Sequence, residues 1–205
     1  LSSQKVGPTI ANDIKSRAVY AGIFSVIVIA VYILIRFHKW QYSLAAAIPT
    51  IHDALVILIL FSMLDGIVPF SLDIDQHFVA AILTVIAYSV NDTVVVFDRL
   101  REYLGMSRRK QEDIGETVNL AINRTLSRTI VTSLTVIFVM AILFIFGGEV
   151  IRGFSFAILV GIIVATYSSI CLAAPLIVDL QGKQKSEEPS VADTKNKAAL
   201  KPAKA

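Results

Sequence analysis

Charge is scarce in this sequence. Only 17% of its 205 residues are Asp, Glu, Lys or Arg, against 55% hydrophobic, and the mean hydropathy is +0.69. A soluble domain of this size carries more charge and shorter apolar runs, which points away from a water-soluble globular protein. A formal net charge of +3 is too slight for nucleic-acid binding, and the basic residues gather beside the apolar runs rather than in a patch. The single cysteine, Cys171, excludes an internal disulfide. Three well-separated histidines give no metal-ligand spacing. The chain has no Gly-rich loop to cradle a phosphate, so nothing signals ATP use. Its Ser and Thr residues lack a His or Lys base at compelling spacing. A non-enzyme without cofactor or metal is expected. No signal peptide opens the chain, since residues 1–17 are polar and mixed in charge, and Leu1 stands where an initiating Met would be. A piece of a longer polypeptide is therefore expected.

What the sequence does have is long apolar runs. About 20 such residues cross a hydrocarbon core of about 30 Å. Five spans are expected at residues 18–37, 42–64, 77–98, 125–146 and 154–180, forming an all-α integral membrane bundle. Residues 1–17 precede it as a leading segment. In that segment KVGPTIANDIKSRA carries a Gly-Pro break followed by Ile10, Ile14 and Ala18, the pattern of a short helix along the outer surface. In residues 112–123, EDIGETVNLAIN, the residues Ile114, Val118, Ala121 and Ile122 recur at helical spacing. They predict an amphipathic helix on the cytoplasmic surface leading into the fourth span. Residues 181–205, rich in Lys, Ala, Pro and Glu, are expected to be a disordered cytoplasmic tail.

Short loops rich in Lys and Arg stay in the cytoplasm. Arg36 and Lys39 follow the first span, Arg99, Arg101, Arg108, Arg109 and Lys110 follow the third, and six lysines follow Leu180. The opposite loops hold Asp65, Asp73, Asp75 and a single arginine, Arg152. The predicted orientation has the start of the chain outside and the C-terminus in the cytoplasm. Lys5, Lys15 and Arg17 run against the rule, which is tolerable if a preceding span and exported domain fix the topology.

Against this apolar background Asp92 stands out in YSVNDTVVVFDRLREY, residues 88–103. An ionisable side chain at mid-span costs roughly 2.5–3.5 kcal/mol on insertion scales. Asp92 lies six residues from the expected cytoplasmic edge at Asp98, or about 9 Å deep. Tyr88, Asn91, Asp92, Val95 and Arg99 share one side of the helix, a polar seam expected to face the bundle or a partner. On the next span NRTLSRTIVTSLT aligns Arg124, Arg128, Thr132 and Thr135. Two antiparallel spans can bring Asp92 and Arg128 together, with Asn91, Thr93 and Thr132 as supporting polar groups. Asp titrates and Arg stays protonated, so a proton taken up by Asp92 releases the pair. The alternative is a static pair that sets packing. Asp98 and Arg99 read more simply as the interfacial end of their helix. His52 and Asp53 lie just after Pro49, which either admits water or leaves them to hydrogen-bond a neighbouring span. Gly153, Gly161, Ala165, Ser168 and Ser169 read as close-packing positions.

YSVNDTVVVFDRLRE closely resembles the signature of the SecF family of protein-export membrane proteins, which work with SecD. KVGPTIANDIK, HDAL, NRTLSRTIVTSLT and FIFGGEVIRGFSFAILVGIIVATYSSI match the same family in order, over about residues 5–180. The resemblance implies a fold like half of the RND-superfamily membrane bundle, the other half being the SecD counterpart. It implies an accessory subunit of the Sec preprotein translocase in the bacterial inner membrane, using the proton gradient to aid export. The implied partners are SecD, or the SecD half of the same chain, the SecYEG translocon, YajC, YidC, an unfolded preprotein and membrane lipid, with no nucleic acid. Asp92 then corresponds to a proton-coupling carboxylate and Arg128 to its partner. The family's first span and exported domain are missing, so the chain is expected to be the C-terminal portion of SecF or of a fused SecD–SecF polypeptide, the fused form being favoured. An RND-type small-molecule efflux component and a non-transporting scaffold remain as the other readings.

Overall fold

The computed structural model describes residues 8–106 and 114–187. Five helices in it are long and apolar enough to cross a membrane. The elements are α1 (Pro8–Phe37), α2 (Trp40–Leu64), α3 (Gln76–Met106), α4 (Ile114–Phe146) and α5 (Glu149–Ser168). A π-helical turn, Ser169–Ala173, joins α5 to α6 (Ala174–Glu187), so that the fifth span runs through all three. One end of the bundle gathers the α1–α2 corner and the end of α3, with Arg36, Lys39, Arg99 and Arg101; it is called the basic end here. The opposite end holds the α2–α3 connection with Asp65, Asp73 and Asp75.

In the most apolar stretch of α1 only 6% of residues are buried, and 11% in α4, against 39–44% in α2, α3 and α5. The last three form the centre and the first two flank it. Two apolar clusters fill that centre. Toward the basic end Phe37 stacks on Tyr42 at 4.9 Å between ring centroids, and Phe97 meets Tyr42 edge-on at 5.2 Å. Leu100, Val118, Ala121 and Ile177 close around them. Toward the other end Ile57, Phe61, Phe78, Val85 and Ile162 pack together.

The ends of the elements have local causes. The corner between α1 and α2 turns at His38, whose φ of 58° is left-handed, and its N–H donates to Leu34 O at 2.8 Å to close α1. Arg101 Nη1 donates to Arg36 O at 3.1 Å, and Arg36 pairs with Asp98 at 2.9 Å, tying the corner to α3. At the start of α3 the Asp75 carboxylate accepts from Phe78 N–H at 2.9 Å, an N-cap contact.

Several expected boundaries differ. The third span does not stop at Asp98: α3 continues to Met106, because Leu100, Tyr103 and Leu104 recur at helical spacing and pack on the basic-end cluster. The stretch expected as an amphipathic surface helix over 112–123 is, from Ile114, the opening of α4 itself. Its apolar side, with Val118 and Ala121, is buried in the same cluster, and no Gly or Pro separates it from the span. The leading segment from Pro8 likewise joins the first span in one unbroken helix rather than a short helix of its own. Pro at the first helical position suits this start, since its missing N–H has no intrahelical partner. The tail expected as disordered from residue 181 is helical to Glu187, with Gln181 buried; residues 1–7, 107–113 and 188–205 lie outside the described residues.

The tightest helix crossing is at Gly161 of α5. A Cβ there would overlap the Val85 side chain of α3 and come within 2.9 Å of Ile57 Cδ1 of α2. Small residues allow such approach where no hydrophobic force drives helices together. Gly161→Val is expected to cost about 1–3 kcal/mol by overpacking, against at most about 1 kcal/mol gained from removing a helical glycine. A lowered midpoint of thermal unfolding in detergent checks it; an unchanged or raised midpoint contradicts this packing.

Candidate functional site

Between the two apolar clusters lies a layer of polar side chains. On α2 it falls between Ala46 and Ile57, on α3 between Val85 and Val90, and along α5 and its π turn between Ile162 and Ala173. At its centre is Asp53, wholly buried. Ser89 Oγ of α3 donates to Asp53 Oδ2 at 2.6 Å, and Ser168 Oγ of α5 donates to the same oxygen at 2.7 Å. His52 Nδ1 lies 3.1 Å from Asp53 Oδ1, with its ring 42% exposed. Beside this knot Tyr88 OH donates to Ser133 Oγ of α4 at 3.2 Å, and Ser133 shares a hydrogen bond of 2.7 Å with Thr166 Oγ1 of α5. Four helices are thus laced at one level. Away from water each bond replaces a solvation that acyl chains cannot supply.

Asp92 sits one turn from Ser89 toward the basic end. It is 3% exposed, and its Oδ2 has no hydrogen-bond partner. Thr93, beside it, is buried with an unpartnered hydroxyl. A buried group left unsatisfied costs about 1–3 kcal/mol, more when charged. The contrast with Asp53 is plain: one carboxylate has donors from two other helices, while the other is buried with an oxygen that has none.

The ion pair expected between Asp92 and Arg128 is not formed. Arg128 is exposed on α4, and no ion pair or hydrogen bond joins the two among the described residues. Its guanidinium is near enough for its charge to act on Asp92. The seam expected to face inward also divides. Asp92 and Thr93 are buried, whereas Asn91 and Arg99 are exposed, because adjacent helical positions diverge by about 100° and Arg99 has reached the basic end. The Thr132 hydroxyl, expected to support Asp92, donates back to Arg128 O and Thr129 O at 3.0 Å each, so its bonds stay within α4.

His52 and Asp53 occupy the hydrogen-bonded alternative of the two that the sequence left open. Ser168, read as a packing position, is a ligand of that carboxylate; Ser89, Tyr88, Ser133 and Thr166 were not picked out as its layer. Five of these groups fall at the same depth on neighbouring helices. That pattern is visible only once the helices are paired.

The C-terminal family model of protein export membrane protein SecD/SecF matches residues 1–183. The chain belongs to that family. Protein translocase subunit SecF of Rhodothermus marinus is 55% identical over 178 residues, covering 87% of this chain and 57% of the relative. Protein translocase subunit SecF of Desulfurispirillum indicum is 45% identical, covering 87% of this chain and 55% of the relative. The chain therefore spans little more than half the length of these relatives. SecDF from Thermus thermophilus, described as a translocon-associated membrane protein, superposes with a TM-score of 0.75 at 37% identity, covering 86% of this chain and 23% of that one. SecDF in a super-membrane-facing form gives 0.72 over 80% of this chain and 21% of that one. The fold is thus an RND-like membrane bundle of five spans.

Ser133 is the bridge of its chain, accepting from α3 and shared with α5. Tyr88→Phe is expected to cost about 0.6 kcal/mol, typical of one interhelical hydrogen bond in a membrane, and Ser133→Ala about twice that, because it also removes the bond to Thr166. The double variant should cost less than the sum, since the Tyr88–Ser133 bond is lost in both single variants. Additive losses in a double-mutant cycle of unfolding would show that the bond contributes nothing.

Proposed function

We propose that this chain is the membrane bundle of a proton-driven accessory subunit of the Sec preprotein translocase, and that Asp92 takes up and releases the coupling proton. The observation that carries this reading is the state of Asp92: shut from solvent, lacking a donor at Oδ2, and within the field of an exposed Arg128 to which it is not bonded. A carboxyl in that position changes the local charge by one unit whenever it binds or loses a proton. Arg128, always protonated, registers the change. Charged, Asp92 draws the guanidinium toward α3; neutral, it lets go. Exchange between these arrangements shifts α4 against α3, and helix shifts of this kind are a known form of switching. Asn91 and Thr93 flank the moving charge, and Thr132 fixes the turn of α4 that carries Arg128. The role is coupling, without covalent chemistry.

The same surface supports a transmembrane partner. Asn91, Arg124, Ser127, Arg128 and Thr132 are exposed on α3 and α4. Acyl chains cannot satisfy such a face, so it is suited to a second polypeptide or to water held by one. SecD, or the SecD half of a fused chain, fits that place. SecYEG, YajC and YidC, with the unfolded preprotein, are the further partners proposed for the whole subunit. Relatives named as protein translocase subunits support this reading over small-molecule efflux.

In the full-length protein assembled with SecD, Asp92→Asn and Arg128→Ala should each abolish the stimulation of export by a proton gradient in membrane vesicles, with assembly unchanged. Full stimulation in either variant that assembles overturns the coupling role. The basic end, and with it the C-terminus, is proposed to face the cytoplasm across the inner membrane, a reading that the excess of Lys and Arg there supports. In a Cys171→Ser background, a cysteine at Ser71 should react with a membrane-impermeant thiol reagent in intact spheroplasts, and one at Arg101 only after permeabilisation. The reverse pattern overturns the orientation.

A further inference from the structure

We infer that Asp53 is a positioning residue for Asp92, and that the polar layer it anchors is the fulcrum on which the basic half of the bundle moves. This rests on the coupling role proposed for Asp92.

The geometry is specific to that stretch of α3. Ser89 and Tyr88 are consecutive residues, and each is held from a different side. Ser89 bonds to Asp53, which also holds Ser168 of α5, while Tyr88 bonds to Ser133 of α4. Two bonds on adjacent positions fix both the rotation and the height of a helix. Asp92 follows Ser89 by three residues, about 4.5 Å along the axis, so its side chain is set by that grip. Without the grip, the distance from Asp92 to Arg128 and the exclusion of water from Asp92 both become free to vary.

The two sides of Asp53 differ in the regularity of the helices. Away from the basic end, α5 meets α2 and α3 at Gly161 with no room for a methyl group, and the apolar cluster there is closed. On the basic-end side of Asp53 and Ser168, within the layer itself, two central helices depart from regular geometry. Pro49 of α2, four residues before Asp53, is buried and provides no N–H for the helical bond to Ala45. The π turn Ser169–Ala173 begins immediately after Ser168, and it packs against α2. Proline and π turns are where helices bend, and π turns recur at functional sites. Asp92 lies on this deformable side. A tight crossing on one side of the hydrogen-bonded layer and a proline and a π turn on the other give it the form of a hinge, with Asp92 just past the pivot.

Other ionisable groups described on the helices packed against α3 are Tyr42, His52 and Asp53 on α2, Arg17, Tyr20, Tyr32 and Arg36 on α1, Glu116, Arg124 and Arg128 on α4, Glu149, Arg152 and Tyr167 on α5, and Cys171 and Asp179 beyond it. On α3 itself Asp98 is paired with Arg36, and Arg99 with Glu102. Asp53 alone among them is bonded to α3 within the layer, through Ser89.

The test uses the full-length subunit assembled with SecD in membrane vesicles, with gradient-driven export measured as a function of pH for Asp53→Ala, Asp53→Asn, Ser89→Ala and Asp92→Asn. Displacing Asp92 is expected to move the pH of half-maximal stimulation by about one unit, a tenfold change in proton concentration, in Ser89→Ala and Asp53→Ala. Asp53→Asn keeps an acceptor oxygen for Ser89 and Ser168 and is expected to fall between Asp53→Ala and the parent. A simple packing defect lowers the yield of complex without moving that pH. Should Asp53→Ala fail to assemble, Ser89→Ala decides. Variants that assemble and retrace the parent profile overturn the inference while leaving the coupling role of Asp92 standing, provided Asp92→Asn is inactive. An active Asp92→Asn removes both.

Discussion

The arrangement depends on one carboxylate that water cannot reach. Asp53 sits where three helices meet, and in an acyl environment it could not stay there without donors. A charged side chain at mid-span costs roughly 2.5–3.5 kcal/mol on insertion scales, and breaking a buried pair costs about as much. Hydroxyls from Ser89 and Ser168, at 2.6 and 2.7 Å, meet that demand from two different helices. Because one oxygen takes both, neither helix can slide past α2 without losing its own bond to it. A group that is expensive to bury thereby becomes the fixed point of the bundle.

Two aspartates at neighbouring depths consequently have different surroundings. Asp53 has its donors and the half-exposed His52 ring beside it, and it serves structure. Asp92 is as deeply buried but has an oxygen with no partner, and the charge that acts on it comes from a residue outside the helix core. A satisfied group resists change; an unsatisfied one gains from it. The separation of roles follows from what the neighbouring helices present, since the residue type is the same.

Legibility in the sequence divides along the same physical line. The five spans were readable because twenty apolar residues in a row have few other uses. Their ends were not, because Leu100, Tyr103 and Leu104 in α3, and Val118 and Ala121 in α4, extend the apolar stripe at helical spacing into charged surroundings. A hydropathy window averages that stripe away. Asp92 was conspicuous as a lone acid in an oily run. Arg128 was found by counting turns, but counting turns does not say where a long side chain ends, and the guanidinium lies outside rather than against the acid. The partners of Asp53 were out of reach altogether. Ser89 and Ser168 lie 36 and 115 residues away, and serine in a span is too common to signal a bond.

The two flanking helices differ in what they expose toward the basic end, and that asymmetry supports the coupling site proposed at Asp92. Along α1 the exposed residues are Val19, Ile23, Phe24, Ile27 and Ile35, a face at home in acyl chains. On α4 the half toward Phe146 is similar, with Phe138, Val139, Ile142 and Ile145 outward. Its half toward the basic end exposes Arg124, Ser127, Arg128 and Thr132 beside Leu120, Ile130 and Val131. A lipid-facing helix gains nothing from that change of character, whereas a helix lining a hydrated contact with another polypeptide requires it. Asp92 is buried just behind this half, one turn past the layer that holds α3. Under the proposed coupling role, a proton arriving along such a contact crosses only the α3–α4 boundary to reach Asp92, next to the stretch of α3 that Ser89 fixes to Asp53.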